Sequence, residues 1–188
     1  MIIDKEKPNI NLIMKLQPVH LKNEWVVLLP LQQSDFETLY EVAKDPLIWE
    51  QHPNPDRYKK EVFEIYFQGA IESGGAFLVK DLSGNVVGCT RFYGYIPDKR
   101  VINIGYTFFS RNSWGKPYNQ STKSLMLDYA FNYVDVVHFH IGAQNIRSQK
   151  AIEKTGAILI GEDTIAYYGE EPKANKIYKI EADTFRKK

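Results

Sequence analysis

The stretch that decides the fold reads Asn145-Ile-Arg-Ser-Gln-Lys-Ala-Ile-Glu-Lys-Thr-Gly156 and follows a strand-like run at 136–143. Asn145 is a strong N-cap candidate, because its side-chain oxygen can accept a hydrogen bond from a free amide of the first turn. Gly156 suits the left-handed conformation that often follows a helix C-terminus. The pattern therefore predicts a helix over 145–155. Its first turn, which contains Ser148, can present a hydroxyl and backbone amides to a ligand.

The rest of the chain predicts a mixed order of strands and helices. Ser34-Asp-Phe-Glu37 has the spacing of a capping box with Ser34 as the N-cap, and the helix that it opens should end before Pro46. Further helices are expected over 58–71 and 119–133. Strands are expected near 25–31, 76–79, 86–93, 101–109, 136–143, 157–168 and 175–182. The order β-α-α-β-β-β-α-β-α-β-β predicts an α/β domain with a mixed sheet and helices on both faces.

Composition bounds the class of protein. The chain has 188 residues, 44% of them hydrophobic and 25% charged, which suits one globular domain. A net charge of +1 argues against a strongly basic nucleic-acid-binding surface. No apolar run approaches the ~20 residues needed to cross a bilayer, and charges interrupt the N-terminal segment where a signal peptide would be apolar. We therefore expect a cytoplasmic protein with a loose arm over 1–20, a single domain over 21–188, and neither nucleic acid nor membrane as a partner.

Cysteine and histidine offer little chemistry by themselves. Cys89 is the single cysteine, so an internal disulfide and a cysteine-rich metal site are excluded. Its place in a strand predicts a small buried hydrophobe. His138 and His140 lie two residues apart on one strand and share a face, but no further ligands accompany them. We expect no metal.

Five pieces of sequence occur in a meaningful order. They are Val27-Leu-Leu-Pro-Leu-Gln-Gln-Ser-Asp35, Val87-Gly-Cys-Thr-Arg-Phe92, Ile104-Gly-Tyr-Thr-Phe108, Trp114-Gly115 with Leu127-Asp-Tyr-Ala-Phe131, and Asn145-Ile-Arg-Ser148 with Ala151-Ile-Glu-Lys-Thr-Gly156. Together they resemble the GNAT superfamily of N-acetyltransferases, and within it the branch of ribosomal-protein N-terminal acetyltransferases, from about Leu21 onward. The resemblance implies a mostly antiparallel sheet of six to seven strands. It also implies acetyl-CoA as co-substrate, an amine acceptor, direct transfer without a metal, and a monomer or homodimer.

The resemblance also implies where acyl-CoA binds. The loop at Trp114 and the helix N-terminus that follows would hold the pyrophosphate. A backbone amide near Thr107 or Phe108 would stabilise the oxyanion, and Ser148 or a water attached to it would serve the departing thiolate. The cofactor-binding candidates are Thr107, Phe108, Asn112, Trp114, Gly115, Lys116, Asn119, Asn145 and Ser148.

Three positions depart from the family pattern. Pro117 stands where the loop usually has glycine or alanine, and proline has no amide to donate. Ile152 stands where many members carry a tyrosine acid, which leaves Ser148 as the catalytic candidate. Asn103 stands where the resembled branch often has glutamate, and an amide cannot take a proton. Glu50 and His52, in the loop after the first helix, are then the candidate bases.

Because the sequence offers no obvious general base, the pKa of the acceptor amine becomes important. An α-amine has a pKa near ~8 and a lysine amine one near ~10.4, so a weak base or water alone favours α-amines or other amines of low pKa. The acceptor stays open between a protein or peptide N-terminus and a small amine. The same three departures support an alternative, a GNAT-like protein that binds CoA or another ligand without efficient turnover.

Overall fold

The computed structural model describes residues 14–19 and 21–187. The predicted order of elements is confirmed, with a short strand added at the start and a short helix at the end. The strands are β1 (Leu21–Lys22), β2 (Val26–Pro30), β3 (Ala76–Asp81), β4 (Val86–Ile96), β5 (Val101–Phe109), β6 (Val136–Gly142), β7 (Ile158–Ile165) and β8 (Lys173–Glu181). The helices are α1 (Phe36–Ala43), α2 (Lys60–Glu72), α3 (Tyr118–Ala130), α4 (Ile146–Glu153) and α5 (Ala182–Phe185).

The strands form one mixed sheet in the order β1-β2-β3-β4-β5-β6-β8-β7. Every neighbouring pair is antiparallel except β5 and β6, which are parallel. The predicted class, a mostly antiparallel mixed sheet within an α/β domain, is confirmed. The expected six to seven strands become eight, because the two-residue β1 pairs with β2 and extends the sheet at that edge.

Helices cover both faces of the sheet. One core contains Phe77 and Val79 of β3 together with Met126 of α3 and Ile152 of α4. The other core contains the alternate β3 residues, Ala76 and Leu78, with residues of α1 and α2 such as Leu39, Phe63 and Phe67. Because successive strand side chains point to opposite faces, β3 supplies both cores, and α1 and α2 lie across the sheet from α3 and α4.

The first helix begins differently from the prediction. The Asp35 carboxylate accepts from the amide of Gln32 at 2.8 Å, and the amide of Asp35 donates to the Gln32 carbonyl at 2.9 Å. A 3₁₀ turn at Gln33–Asp35 then leads directly into α1. The prediction of Ser34 as the N-cap with Glu37 closing the box was therefore wrong. The turn starts two residues earlier, because Asp35 reaches back to Gln32.

The predicted N-terminal arm lies mainly outside the described residues. Within 14–19, Met14 is buried in the core and the Gln17 side-chain amide donates to the Ala76 carbonyl at 2.7 Å. In the part of the chain that the structure describes, no helix is long and apolar enough to span a membrane.

A bulge in β5 and the end of the β5–β6 pairing shape the centre of the sheet. Cys89 pairs with Phe108 and Arg91 with Gly105, so that Tyr106 and Thr107 both lie opposite Thr90. Tyr106 has a φ of +51°, a left-handed conformation that a bulky residue rarely adopts.

Neighbouring groups hold the bulge in place. The Tyr66 hydroxyl donates to the Tyr106 carbonyl at 2.7 Å, and the Arg91 guanidinium stacks 3.9 Å from the centre of the Tyr106 ring. The last pair between β5 and β6 is Asn103 with His138. Beyond that pair the two parallel strands separate.

Candidate active site

A cleft of about 670 Å³ opens where β5 and β6 separate. Eight of the nine predicted cofactor-binding residues line it; the ninth, Asn112, lies in the exposed 3₁₀ turn Arg111–Ser113 and does not. The bulge of β5 forms one side of the opening, and the N-termini of α3 and α4 form the end of it. The separated strands thus bring together segments that lie far apart in the sequence.

One end of the cleft, which we name the loop wall, consists of Ser113–Asn119 and the first turn of α4. Asn145 is the N-cap of α4 as predicted, because its Oδ1 accepts from the Ser148 amide at 3.1 Å. Gly156 follows the helix with a φ of +92°, the predicted left-handed conformation. The capped first turn brings Asn145 and Ser148 to the cleft.

Trp114 and Arg147 join the two parts of the loop wall. The Trp114 indole nitrogen donates to the Phe109 carbonyl at 3.2 Å, and the Arg147 guanidinium lies 4.0 Å from the centre of the Trp114 ring. Such a contact between a cation and an aromatic face is attractive. Arg147 also donates to the Ile48 carbonyl at 3.0 Å, which ties α4 to the loop after α1.

The loop itself prepares the start of α3. Gly115 has a φ of +78°, a conformation that suits glycine, and Pro117 occupies the N-cap position of α3. The Pro117 carbonyl still accepts from Ser121 at 2.8 Å, so the missing proline amide does not prevent the helix from starting there. The Oδ1 of Asn119 is buried without a hydrogen-bond partner among the described residues. This orphaned acceptor lies at the helix N-terminus beside the cleft.

The charge of the cleft is strongly one-sided. Six cationic side chains line it, and no aspartate or glutamate among the described residues does. The six are Arg57, Lys116, Lys123, Arg147, Lys150 and Lys154. In a chain whose net charge is only +1, this concentration favours a polyanionic ligand, and two helix N-termini add to the effect.

Lys123 also lines the cleft, although it was not predicted from the sequence as a site residue. It is buried on α3, where its Nζ donates to the Thr107 hydroxyl at 2.6 Å and to the Thr90 hydroxyl at 3.3 Å. Burial lowers the pKa of Lys123 to about 7. Thr107, which belongs to the bulge, is thereby held by a lysine that exchanges its proton near neutral pH.

A second group of residues at the cleft, which we name the aromatic wall, consists of Trp49, Tyr93, Tyr106, His140 and Tyr167 around Arg57. Four of the aromatic side chains line the cleft, and Tyr93 packs edge-on against Tyr106, with ring centres 5.1 Å apart. Tyr167 approaches Tyr106 in the same way at 5.3 Å. The wall is therefore a connected set of rings built from β4, β5, β6 and two loops.

The buried Arg57 side chain contacts several rings of the aromatic wall. Its guanidinium lies 5.0–6.0 Å from the ring centres of Trp49, Tyr66, Tyr106 and Tyr167. It is also paired with Glu170, with Nη2 2.6 Å from the carboxylate Oε1. Both partners of this ion pair are buried, so its charge is compensated inside the fold.

The surroundings of the two predicted bases, Glu50 and His52, are unfavourable for accepting a proton from an amine in the cleft. Glu50 is paired with Arg147, with an N–O distance of 3.1 Å, and does not line the cleft. His52 does line it, but its Nδ1 lies 2.9 Å from the amide nitrogen of Asn54 and its Nε2 lies 3.2 Å from Nη1 of Arg57. Burial, and next the Arg57 charge, lowers the pKa of His52 well below 6.5. Both ring nitrogens are occupied, which argues against His52 as the base.

Asn103 and Ile152, the other two positions that depart from the family pattern, make ordinary structural contacts. Asn103 donates through its side-chain amide to the Tyr93 carbonyl at 3.3 Å, which helps to join β5 to β4. Ile152 is buried in the core on the α3 side of the sheet, and it also lines the cleft. Cys89 is fully buried, as predicted, and burial raises the pKa of its thiol. Among the described residues, no group of three or more His, Cys, Asp or Glu side chains lies together in a way that could hold a metal ion.

Comparison with known proteins agrees with the fold. The sequence profile of the acetyltransferase (GNAT) domain family matches residues 26–158. No curated protein sequence matches the chain. Solved structures with a similar fold include a GNAT-family acetyltransferase from Bacillus anthracis (TM-score 0.70, 19% identity, covering 87% of this chain and 98% of that one).

Two structures that contain CoA compounds are also similar. Spermidine N-acetyltransferase from Vibrio cholerae, in complex with CoA and spermine, has a TM-score of 0.65 at 16% identity and covers 87% of this chain and 99% of that one. Mycobacterium smegmatis RimJ in complex with CoA-disulfide has a TM-score of 0.65 at 16% identity and covers 84% and 82%. The family profile spans well over half of the chain, and this chain therefore belongs to the GNAT acetyltransferase family.

Proposed function

We propose that the protein is an acetyl-CoA-dependent N-acetyltransferase that transfers the acetyl group directly to an amine. The observation that carries this proposal is the separation of β5 from β6 beyond Asn103 and His138, which opens a cleft from the loop wall to the aromatic wall. The loop wall supplies cations and two helix N-termini for the phosphates of CoA. The unpaired edge of β5 next to the bulge supplies backbone donors for the oxyanion, in the region of Thr107 and Phe108.

Each predicted binding residue has a role in this proposal. Gly115 and its neighbours hold the pyrophosphate, and Lys116 adds charge. Asn119 lines the cleft at the start of α3, and Asn145 keeps the first turn of α4 in place. Ser148 donates a hydrogen bond to the departing thiolate. Asn112 is the weakest of the set, because it lies outside the cleft.

The charge of the cleft also limits the classes of amine that could be the acceptor. A polyamine carries several positive charges, and no carboxylate among the described residues lines the cleft to attract them. Arg57 and Arg147 are paired with Glu170 and Glu50, but the lysines at 116, 150 and 154 add positive charge to the lining. We infer an acceptor with one amine and no further cation near it, such as the α-amine of a peptide or a small amine of low pKa. A peptide N-terminus is also the acceptor class that the resemblance to the ribosomal-protein acetyltransferase branch suggests.

Two measurements on the purified protein test the proposal. A thermal-shift titration with acetyl-CoA should show stabilisation that grows with concentration, by about 2.7 kcal/mol at a hundredfold excess over Kd. A thiol-release assay should then give turnover with a peptide that has a free α-amine. A peptide with a blocked N-terminus and one lysine should react more slowly, and spermidine slowest.

The outcomes separate the candidate functions. Stabilisation without thiol release from any amine would favour the alternative, a CoA-binding protein without efficient turnover. Pro117, Asn103 and Ile152 are the residues that favour it. No stabilisation by acetyl-CoA would rule out both functions, and fastest turnover with spermidine would contradict the inferred acceptor.

A further inference from the structure

One histidine of the aromatic wall has a different environment from its neighbour on the same strand. His138 and His140 lie on one face of β6, but only His140 lines the cleft. His138 still pairs with Asn103 of β5, whereas His140 lies two residues beyond the point where the strands separate. The imidazole of His140 is thus brought to the cleft by the same feature that opens it.

Tyr93 holds His140 against the bulge. The Tyr93 hydroxyl lies 3.2 Å from Nδ1 of His140. The Tyr93 ring packs so closely on Gly105 that a Cβ at that position would lie 2.9 Å from it. Gly105 lies two residues before Thr107, and the oxyanion donors are proposed near Thr107 and Phe108. The imidazole is therefore linked through one phenol to the expected place of the thioester.

The other ring nitrogen of His140 is available. No hydrogen-bond partner for Nε2 occurs among the described residues, while both nitrogens of His52 are occupied. A hydrogen on Nδ1, donated to the Tyr93 oxygen, leaves a lone pair on Nε2. In this tautomer His140 can accept a proton from an incoming amine.

The surroundings keep His140 neutral. Burial lowers its pKa below 6.5, the nearby His138 lowers it further, and Asp163 of β7 opposes the shift. The Tyr93 phenol faces the His140 ring, with ring centres 6.0 Å apart, and the rings of Tyr106 and Tyr167 follow in the same wall. Burial raises the pKa of Tyr93 and of Tyr167, so both phenols keep their protons at neutral pH. Lys123, whose pKa burial lowers to about 7, contacts Thr90 and Thr107 beside Met126, on the α3 side of the sheet.

We propose that His140 is the general base of the transfer and that Tyr93 is a positioning residue that sets its tautomer. The proposal rests on the acetyltransferase function proposed above. The amine nitrogen forms a bond to the thioester carbonyl carbon while Nε2 of His140 takes one proton from that nitrogen. The carbon–sulfur bond then breaks, and its electron pair leaves with sulfur as the thiolate. The thiolate is protonated from solvent, and His140 returns its proton to solvent.

The matched pair His140→Asn and His138→Asn tests the assignment. With acetyl-CoA and a peptide α-amine at saturation, His140→Asn should lower kcat by about 10²–10⁴-fold, the usual contribution of a general base. The thermal shift with acetyl-CoA should stay within twofold of wild type in apparent affinity. His138→Asn should retain kcat within twofold. Equal activity of His140→Asn and wild type would overturn the proposal without affecting the proposed acetyltransferase function.

The pH profile separates a base from a residue that only supports the fold. Wild-type kcat should fall as the pH drops through an apparent pKa below 6.5, because protonated His140 cannot accept a proton. His140→Asn should lose this acidic limb. Tyr93→Phe should lower kcat by about tenfold and displace the limb, since one hydrogen bond to the ring is removed. An acidic limb that is the same in all three proteins would contradict both assignments.

A measurement without turnover gives a second, independent test. The chain has four histidines, so their imidazole ¹⁵N signals can be resolved by NMR and that of His140 identified by its loss in His140→Asn. At pH 7.5 we expect a neutral ring with hydrogen on Nδ1 and none on Nε2. A ring protonated on Nε2 at that pH would overturn the proposal, whether or not an active acceptor has been found.

Discussion

The two walls of the cleft are built in opposite ways. The loop wall comes from two continuous segments, Ser113–Asn119 and the first turn of α4, and much of its polar surface is open to solvent. The aromatic wall is assembled from two central strands, β6 and two loops, and the charge in its centre, on Arg57, is compensated by Glu170, 113 residues away in the sequence. One wall is suited to capture phosphate groups, and the other to hold a small group rigidly.

The two walls differ in how much backbone strain and how many buried charged groups they contain. At the aromatic wall, Tyr106 has positive φ, Arg57 and Arg91 are buried, and Nε of Arg91 and Oε2 of Glu170 are buried without partners among the described residues. Such groups are costly and persist only where the surrounding fold enforces them. At the loop wall, the comparable feature is Oδ1 of Asn119, which is buried without a partner among the described residues. Loss of the buried charges at the aromatic wall should therefore act first on stability, and changes in the loop at 113–119 should act first on ligand binding.

The largest effect is expected at the buried ion pair. Arg57→Met leaves the Glu170 carboxylate uncompensated, which should lower the free energy of unfolding by about 3–5 kcal/mol. Arg100→Met is the matched control, because Arg100 pairs with Asp135 at the surface and its loss should cost no more than about 1 kcal/mol. Urea unfolding measures both. The double variant Arg57→Met/Glu170→Met should recover most of the loss; equal losses in Arg57→Met and Arg100→Met would contradict the role given to the buried pair.

At the loop wall the largest effect should be on binding. Gly115→Val places a β-branched side chain at a φ of +78° in the loop that approaches the pyrophosphate, and we expect acetyl-CoA affinity to fall by at least about a hundredfold. Gly84→Val is the control, since Gly84 has a φ of +87° in the β3–β4 turn and suffers the same backbone strain away from the cleft. Thermal-shift titration distinguishes them. Equal acetyl-CoA affinity in the two variants would show that the loop does not approach the cofactor.

Ser148 should affect turnover more than binding. Ser148→Ala removes the hydroxyl proposed to donate to the thiolate, and a hydrogen bond to a charged group contributes about 1.5–3 kcal/mol. We expect kcat to fall by about ten- to a hundredfold while the acetyl-CoA shift stays near that of wild type. Ser83→Ala, in the exposed β3–β4 turn, controls for a general effect of losing a hydroxyl. Unchanged turnover would remove Ser148 from the mechanism.

The smallest effect, taken per pH unit, is the pH dependence of stability that Lys123 contributes. Because the folded pKa of about 7 lies below the ordinary 10.5, the unfolded chain binds more protons between these values, and stability should rise with pH across this window. The contribution has a limiting slope of about 1.4 kcal/mol per pH unit. Lys123→Met should lose it, and urea unfolding at pH 7.5, 8.5 and 9.5 compares the slopes. The same slope in both proteins would show that Lys123 is not responsible.

The fold was largely predictable, because it depends on local signals. Asn145 and Gly156 mark the two ends of α4, and the hydrophobic periodicity located the strands and the other helices to within a few residues. The error at Ser34 was local as well: the competing pattern from Gln32 to Asp35 begins the turn two residues earlier. The two-residue β1 is too short to leave any periodic signal.

The candidate site was predictable on one side only. The loop-wall residues follow a motif along the chain, and eight of the nine cofactor-binding candidates do line the cleft. The aromatic wall depends on contacts between distant segments, such as Tyr93 with His140 and Arg57 with Glu170. The two histidines of β6 look alike in the sequence, and only the place where β5 and β6 separate distinguishes them.

The measurement that tests the account most directly is a crystal structure of the protein with bound CoA. We expect the pyrophosphate at the loop wall, within hydrogen-bonding distance of backbone amides in 114–119. We expect the sulfur near Thr107 of the bulge, with the His140 imidazole on the side from which an acceptor enters. A CoA molecule bound outside the cleft, or one whose sulfur lies at the loop wall, would contradict the division of the site into these two walls.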